Sequence, residues 1–340
     1  MRVSEKIEKL KKQWGGRLCI LGHYYQRDEV LRHADFTGDS LELARRAAAA
    51  GQAEKIVFCG VHFMAESACI LAGERQAVYM PDPAAGCPMA DMAPLREVLP
   101  AWTELNSAGG GWSPVAYVNS SAAVKAFCGE HDAATCTSGN AKEVFRFFLE
   151  QNKRILFLPD EHLGANTAHD LGLPDEKTAI YNPSLPGGGM LPGQAEKAQI
   201  ALWKGYCHVH MFAVDDVRKA RAEHPLAKII VHPETPKEVL RLADAHGSTS
   251  QIIKYVENAP SGATIIVGTE INLVKRLAAL HKDRVAVYPL RASLCRNMAL
   301  ITEEKLLKTM ETWPEENVIR VEPGIMANAA RALKRMLEIS

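Results

Sequence analysis

The sequence lacks an excess of charge of either sign and lacks any long apolar run. Its 340 residues carry 40 Lys and Arg against 40 Asp and Glu, so the formal net charge is zero. Such a balance gives no sign of a nucleic-acid partner, which would favour clustered basic side chains. No stretch approaches the roughly 18 consecutive apolar residues of a membrane span. The sequence therefore predicts a protein that binds neither nucleic acid nor a membrane.

A secretory pattern is also missing from the first residues. Residues 1–13 are charged throughout, with Ile7 and Leu10 as the apolar positions. This pattern is typical of a short amphipathic helix, whereas a signal peptide needs an apolar core. We therefore expect a cytoplasmic protein. In that reducing compartment, the eight cysteines are expected to serve metals or catalysis and not disulfides.

Apolar, strand-like runs alternate with helical patterns along nearly the whole chain, which predicts parallel α/β units. Three segments run through the same four steps: a strand with a polar end, a helix opened by hydroxyl residues, a second strand and helix, and a strand that leads into a cysteine loop. We predict three homologous α/β repeats at 1–95, 96–207 and 208–296, and we expect 297–340 to pack back on the first.

Small hydroxyl residues stand where the second step of each repeat begins. The three stretches are Thr37–Ser40, Thr135–Ser138 and Gly247–Ser250. Ser and Thr at helix starts cap free backbone N–H groups. The same N–H groups and the helix dipole favour an anion. Their recurrence after polar strand ends predicts binding of carboxylate or phosphate groups.

Each repeat also supplies one cysteine after its last strand: Cys87, Cys207 and Cys295. Cys207 lies three residues before His210, and thiolate beside imidazole is metal-ligand chemistry. Gly205 allows the backbone to turn or to approach another segment closely. Ahead of Cys207 we expect a helix over 194–202. The remaining cysteines are predicted to lie in the core: Cys19, Cys59, Cys69, Cys128 and Cys136.

Three thiolates do not suit a closed structural zinc site, which takes four ligands. They suit a [4Fe–4S] cluster in which one iron has no protein ligand. An open iron can act as a Lewis acid on a substrate hydroxyl or carboxylate. Two alternatives remain open here: an aconitase-like [4Fe–4S] hydro-lyase acting on another hydroxy acid, and a non-catalytic Fe–S or zinc protein.

Short motifs spread over about residues 20–330 resemble the quinolinate synthase family. They are Gly22–Tyr25, Gly38–Leu41, Gly60–Glu66, Gly86–Asp91, Tyr117–Asn119, Thr135–Ser138, His162–Gly164, Cys207–His210, Val231–Glu234, Gly247–Ser250 and Cys295–Met298. Some members of the family carry a Cys-x-x-Cys arrangement at the third cysteine. Arg291–Leu294 precede Cys295 here, so a redox disulfide at that point is not expected. Where the family often has His-Pro-Glu-Cys, this chain has Thr235 in the last place.

The resemblance implies three homologous three-layer α/β/α domains with short parallel sheets around a pseudo-threefold axis, with the active site at the centre. It implies a [4Fe–4S] cluster on Cys87, Cys207 and Cys295. The implied reaction is a transferase reaction of NAD biosynthesis that forms a carbon–carbon bond. It condenses iminoaspartate with dihydroxyacetone phosphate to give quinolinate, phosphate and two waters. The resemblance further suggests the enzyme that makes iminoaspartate as a partner.

The resemblance also implies the residues of the site. Glu234 and Tyr25 are expected to do general acid–base work, and His23 and His232 to hold carboxylates or to move protons. His210 is expected to reach substrate beside the cluster. Tyr117 and Asn119 offer neutral hydrogen bonds. The residues expected to bind carboxylate or phosphate oxygens are Ser40, Ser138, Ser248 and Thr249.

Overall fold

The structure is a computed structural model that describes residues 2–73, 75–107, 109–191 and 193–339. The chain forms two compact units. Unit 1 comprises Met1–Cys87, Val214–Val231 and Ala243–Val321, and unit 2 comprises Pro88–Ala213, His232–Leu242 and Glu322–Ser340. Within the described ranges, no helix has both the length and the apolar character that crossing a bilayer requires.

Helices and short strands alternate along the described residues. The strands are β1 Leu18–His23, β2 Phe36–Gly38, β3 Lys55–Cys59, β4 Ala77–Tyr79, β5 Trp112–Tyr117, β6 Thr135–Cys136, β7 Arg154–Leu158, β8 Thr178–Tyr181, β9 Ile200–Trp203, β10 Lys228–Val231, β11 Ala245–His246, β12 Thr264–Gly268 and β13 Ala286–Pro289. The α-helices are α1 Val3–Trp14, α2 Asp28–Leu31, α3 Ser40–Ala49, α4 His62–Leu71, α5 Leu95–Ser107, α6 Ala122–Glu130, α7 Ala141–Glu150, α8 Glu161–Asp170, α9 Gln194–Lys197, α10 Val214–Glu223, α11 Lys237–Leu240, α12 Thr249–Glu257, α13 Ile271–His281, α14 Glu303–Thr312 and α15 Pro323–Ile339. Short 3₁₀ helices lie at Gly15–Arg17, Ala90–Met92, Asp175–Lys177, Pro186–Gly189, His208–His210, Met298–Leu300 and Glu315–Asn317.

Unit 1 contains two parallel sheets with the same strand order, β2-β1-β3-β4 and β11-β10-β12-β13. All six residues of β1 are buried, as expected of parallel strands covered on both faces. In both sheets, an aspartate just before the edge strand (β2 or β11) accepts a main-chain hydrogen bond from the neighbouring strand (β1 or β10). Asp35 accepts a hydrogen bond from the Ile20 N–H (2.8 Å), and Asp244 accepts one from the Ile229 N–H (2.9 Å). This shared detail supports the homology of the first and third segments.

Unit 2 contains one five-stranded parallel sheet in the order β6-β5-β7-β9-β8. The strands β6-β5-β7-β9 have the same order as the four strands of each sheet in unit 1, and β8 is an additional edge strand. The helix expected over 194–202 is wrong in its second half, because α9 ends at Lys197 and Ile200–Trp203 form the fully buried strand β9. The residues of α9 favour a helix, whereas the following apolar run completes the sheet. Cys207 therefore lies in the loop that follows β9, the strand in the position of β4 and β13 in the other two sheets.

The C-terminal segment divides between the units. In unit 1, α14 packs against α1, whereas α15 packs against α6 of unit 2. The α6–α15 approach is close at Gly129, where a Cβ atom would overlap the Asn328 backbone. The expectation that all of 297–340 packs on the first repeat is therefore wrong for α15. The three parallel sheets flanked by helices confirm the predicted fold class, and the repeat boundaries stay a prediction.

Candidate active site

The loops that carry Cys87, Cys207 and Cys295 are attached to the protein in the same way. In each repeat, the backbone N–H of the first residue of a helix donates to the carbonyl oxygen two residues before the cysteine. The helices are α4, α8 and α13, which follow the third-step strand of each repeat. The pairs are His62 with Ala85 (2.8 Å), Glu161 with Gly205 (2.9 Å) and Ile271 with Ser293 (2.8 Å). The three cysteines therefore occupy equivalent positions within their repeats.

Gly205 makes the close backbone approach that the sequence predicted. A Cβ atom at this position would overlap the Pro159 carbonyl oxygen and would lie 3.3 Å from the Met92 Cβ. Only a residue without a side chain fits there unless the backbone moves. Glycine at this point therefore lets the loop of Cys207 lie directly against the segment that opens α8.

Four of the other five cysteines differ from these three in burial. Cys19, Cys59, Cys128 and Cys136 are buried, and burial raises the pKa of each thiol, to about 11 for Cys19 and about 12 for Cys59 and Cys128. Cys69 is half-buried, its S–H donates to the Ile319 carbonyl, and desolvation raises its pKa as well. Raised pKa values disfavour the thiolate form that a metal needs. Cys87, Cys207 and Cys295 are all partly exposed.

Unit 2 brings three of the predicted site residues together around the carboxylate of a fourth, Glu234. Tyr117 donates its O–H to Oε1 (2.6 Å), and Nδ1 of His210 lies 2.7 Å from Oε2. The His232 ring stacks on the His210 ring with centroids 4.2 Å apart. Each of these side chains is at most 4% exposed. A buried carboxylate with two short hydrogen bonds is strongly oriented.

The charge of Glu234 follows from its neighbours. Burial acts to raise the pKa of Glu234, but the His210 and His232 charges and the hydrogen bonds from His210 and Tyr117 outweigh it, so the pKa is held well below its usual range. Glu234 is therefore a carboxylate at neutral pH, and Nδ1 of His210 carries the shared proton. Burial, followed by the charge of Glu234, raises the pKa of Asp160 well above normal.

Two residues of this group, His210 and Glu234, form the donor set of a metal site together with Cys207. One ligand atom each from Cys207, His210 and Glu234 lie within 4.8 Å of one another. Cys207 is partly exposed, whereas His210 and Glu234 are buried. Thiolate, imidazole and carboxylate together are typical ligands of zinc and of iron.

Unit 1 brings His23, Tyr25 and Thr249 together. The Tyr25 N–H donates to Nδ1 of His23 (3.1 Å), and the two rings pack edge to face at 4.7 Å. The Thr249 hydroxyl donates to the Tyr25 Oη (3.2 Å), which also shares a hydrogen bond with Thr269 (2.8 Å). After the equivalent strand of the third repeat, the Glu234 N–H points at Nδ1 of His232 in the same way (3.4 Å). The polar strand ends thus share one local turn.

The sequence reasoning missed three residues of this network: Thr269, Glu270 and Asn272. Glu270 caps α13 and accepts the Cys295 N–H (3.4 Å), while the Asn272 side chain donates to both Glu270 (3.1 Å) and the Tyr25 carbonyl (3.3 Å). Burial raises the pKa of Glu270 to about 7 against its backbone hydrogen bonds. Thr269 and Glu270 follow β12 directly, so the rule that polar residues follow strand ends could have found them.

The hydroxyl residues at the helix starts have different surroundings. Ser248 is the N-cap of α12, and its Oγ accepts the Gln251 N–H. Ser40 is the first residue of α3, but the Asp39 carboxylate already accepts the Leu41 and Glu42 N–H groups there. A carboxylate at a helix start competes with any bound anion. Ser138 lies in the turn ahead of α7, whose N-cap is Asn140.

Asn119 is half-buried beyond the end of β5, and its Oδ1 is buried without a hydrogen-bond partner among the described residues. A buried polar atom without a partner is costly. Its acceptor therefore suits a ligand N–H or O–H group.

Comparison with known proteins gives one consistent result. The family model described as quinolinate synthetase A protein matches residues 5–338. A protein of Corynebacterium glutamicum named quinolinate synthase is 46% identical over 99% of this chain and 87% of its own length. Proteins of Bacillus cereus and Bacillus mycoides with the same name are each 45% identical over 99% of this chain and 93% of their own lengths. These matches support neither the hydro-lyase nor the non-catalytic alternative.

Proposed function

The chain belongs to the quinolinate synthetase A family of enzymes, and we propose on that premise that it condenses iminoaspartate with dihydroxyacetone phosphate. The products are quinolinate, phosphate and two waters, which balances every atom of the two substrates. We also propose that the chain works in the cytoplasm with the enzyme that makes iminoaspartate as its partner. The proposed boundaries of its three repeats are 1–95, 96–207 and 208–296.

We further propose that Cys87, Cys207 and Cys295 hold a [4Fe–4S] cluster. The observation that carries this assignment is the common attachment of the three cysteine loops to a helix start. The donor set supports it, because these three thiols are partly exposed while burial raises the pKa of the other five. When bound, such a cluster would supply an iron without a protein ligand, which acts as a Lewis acid on a substrate hydroxyl or carboxylate.

The Glu234 carboxylate accepts the hydrogen bond from Nδ1 of His210. Carboxylate–imidazole pairs of this kind fix the orientation of the ring. The low pKa of Glu234 keeps its carboxylate ionised, which favours a role as the partner of His210 over a role as a proton donor in the resting enzyme. Tyr117 holds the other carboxylate oxygen.

Tyr25, in unit 1, is the proposed proton donor. Its hydroxyl oxygen accepts from Thr249 and shares a proton with Thr269. Accepted hydrogen bonds stabilise a phenolate and so assist proton release. His23, whose Nδ1 is engaged by the Tyr25 N–H, is proposed to bind a substrate carboxylate through Nε2. Asn119 is proposed to offer a neutral hydrogen bond to the substrate. The proposed contacts to carboxylate and phosphate oxygens come from Ser40, Ser138, Ser248, Thr249 and His232.

The decisive experiment assembles the cluster anaerobically on the purified chain and measures iron, sulfide and quinolinate formation. We expect about four iron and four sulfide ions per chain and quinolinate from the two named substrates. Separate Cys→Ser variants at positions 87, 207 and 295 should lose the cluster.

The matched control is Cys69→Ser, because its hydroxyl can still donate to the Ile319 carbonyl. This variant should retain the cluster and the activity. A chain that holds a full cluster and yet forms no quinolinate would contradict the proposed reaction. A Cys69→Ser variant that loses iron while one of the three ligand variants keeps it would contradict the ligand assignment.

A further inference from the structure

We propose that the cluster-free protein binds one divalent cation of the zinc type at Cys207, His210 and Glu234. One ligand atom from each residue already lies within 4.8 Å of the other two. Metal–ligand distances of about 2.0–2.3 Å place tetrahedral ligand atoms roughly 3.3–3.8 Å apart. The ligand atoms therefore need to shift by at most about 1.0–1.5 Å to reach tetrahedral spacing, which is within the range of rotamer adjustment.

The backbone around the three ligands favours this convergence. The loop of Cys207 is fixed by the hydrogen bond from Glu161 to the Gly205 carbonyl. His210 ends the 3₁₀ helix His208–His210 that follows the cysteine directly. Glu234 is held through its other oxygen by Tyr117. A site whose ligands are already held in place loses little conformational entropy when the ion binds.

The donor set selects the class of cation. Thiolate and imidazole favour Zn²⁺, Co²⁺ and Fe²⁺, whereas Mg²⁺ and Ca²⁺ favour oxygen ligands alone. Thiolate and carboxylate together neutralise the charge of a dication. On binding, the Cys207 thiol releases its proton, and His210 and Glu234 exchange their mutual hydrogen bond for bonds to the ion, with His210 as neutral imidazole. Three protein ligands leave a fourth position for water.

Occupation of this site removes Cys207 from the set of cluster ligands. Zinc therefore excludes the cluster, and a chain loaded with zinc should resist cluster assembly until the zinc is chelated. This consequence rests on the proposed function, whereas the cation site itself does not. Because first-row affinities favour zinc over ferrous iron, the cluster-free chain is open to occupation by the wrong metal.

The test is an anaerobic Co²⁺ titration of the full-length chain after iron has been removed by chelation. We expect one Co²⁺ per chain with a thiolate-to-cobalt charge-transfer absorption, which Zn²⁺ abolishes and Mg²⁺ leaves unchanged. Cys207→Ser should abolish the absorption. His210→Ala should weaken binding by more than the roughly 10–100-fold that loss of an outer partner costs. Tyr117→Phe, which removes only such an outer partner, should fall within that range.

The matched control is the double variant Cys87→Ser/Cys295→Ser, which lacks two of the proposed cluster ligands and retains all three proposed zinc ligands. It should bind Co²⁺ with the same absorption while failing to assemble a cluster. Loss of Co²⁺ binding in this double variant would mean that the three thiolates hold the ion together, and that result would overturn the proposal. Persistence of the absorption in Cys207→Ser would overturn it equally. Glu234→Gln removes the carboxylate ligand but keeps the shape of the site. Weaker Co²⁺ binding in this variant therefore reports the loss of a ligand and not misfolding.

Discussion

Gly205→Ala tests whether the Cys207 loop depends on close backbone contact. The new Cβ would overlap the Pro159 carbonyl oxygen. Because that oxygen belongs to the backbone, a change of side-chain rotamer cannot relieve the overlap. An ordinary carbon–oxygen contact requires the loop to move by about an ångström. The same movement stretches the 2.9 Å hydrogen bond from Glu161 to the Gly205 carbonyl beyond the usual range.

The size of the effect follows from these two changes. Overpacking in a filled interior costs about 1–3 kcal/mol, and loss of a backbone hydrogen bond adds about 1 kcal/mol. Together they predict a loss of about 2–4 kcal/mol in the stability of unit 2. For a unit of this size, the melting temperature should fall by roughly 4–16 °C. Cys207 follows two residues later, so the iron content per chain should also fall.

The assay compares thermal unfolding of the cluster-free chain with iron content after anaerobic assembly. Gly86→Ala is the matched control, because Gly86 stands directly before Cys87 and a Cβ there meets no atom of the described residues within 4 Å. We expect this control to match the parent protein in both measurements. If Gly205→Ala melts at the parent temperature and binds a full complement of iron, the reasoning from the loop contact is wrong.

Two further predictions concern single carboxylates. In Glu234→Gln, the amide can still form one hydrogen bond with His210 and one with Tyr117, so we expect near-normal iron content. Quinolinate formation should fall by about 10²–10⁴-fold, the usual cost of losing a general acid or base. Parent-like turnover would remove Glu234 from the mechanism. For Asp244, burial alone would raise the pKa, but hydrogen bonds from Ile229, Lys228 and Arg221 outweigh it and lower the pKa to about 2. Because this pKa is lower in the folded than in the unfolded state, its contribution to stability is present above about pH 4 and disappears as the pH falls through about 2. The melting temperature of Asp244→Asn should therefore lie below that of the parent by a constant amount at neutral pH, with the gap closing in acid; a gap that widens in acid would contradict the assigned sign.

The sequence was sufficient to predict the three parallel α/β repeats, because continuous apolar runs and polar strand ends are local features. It was also sufficient to select Cys87, Cys207 and Cys295 as equivalent residues. It was insufficient at 194–202, where helix-forming residues precede an apolar run of only four residues. A run that short fits a helix or a strand, and pairing with β7 and β8, which residue type does not reveal, decided for the strand.

The grouping of the site residues within each unit could be predicted only in part. Tyr117, His210, His232 and Glu234 were selected as separate residues, but their distances depend on contacts across 117 residues of sequence. The bridging role of Asn272 between Glu270 and the Tyr25 carbonyl is likewise a long-range property. The low pKa of Glu234 depends on the two histidines around it, and no single motif contains all three.

The attachment of the cysteine loops uses only main-chain atoms, and this has a consequence for how the repeats can drift apart. The donors are histidine, glutamate and isoleucine, and the acceptors are alanine, glycine and serine, so no residue type is shared among the donors or among the acceptors. Any donor residue except proline can supply the N–H group. The three repeats can therefore diverge in amino-acid sequence while they keep the same main-chain hydrogen bond. A comparison of main-chain hydrogen bonds can for this reason detect an ancient triplication that a comparison of residue types misses.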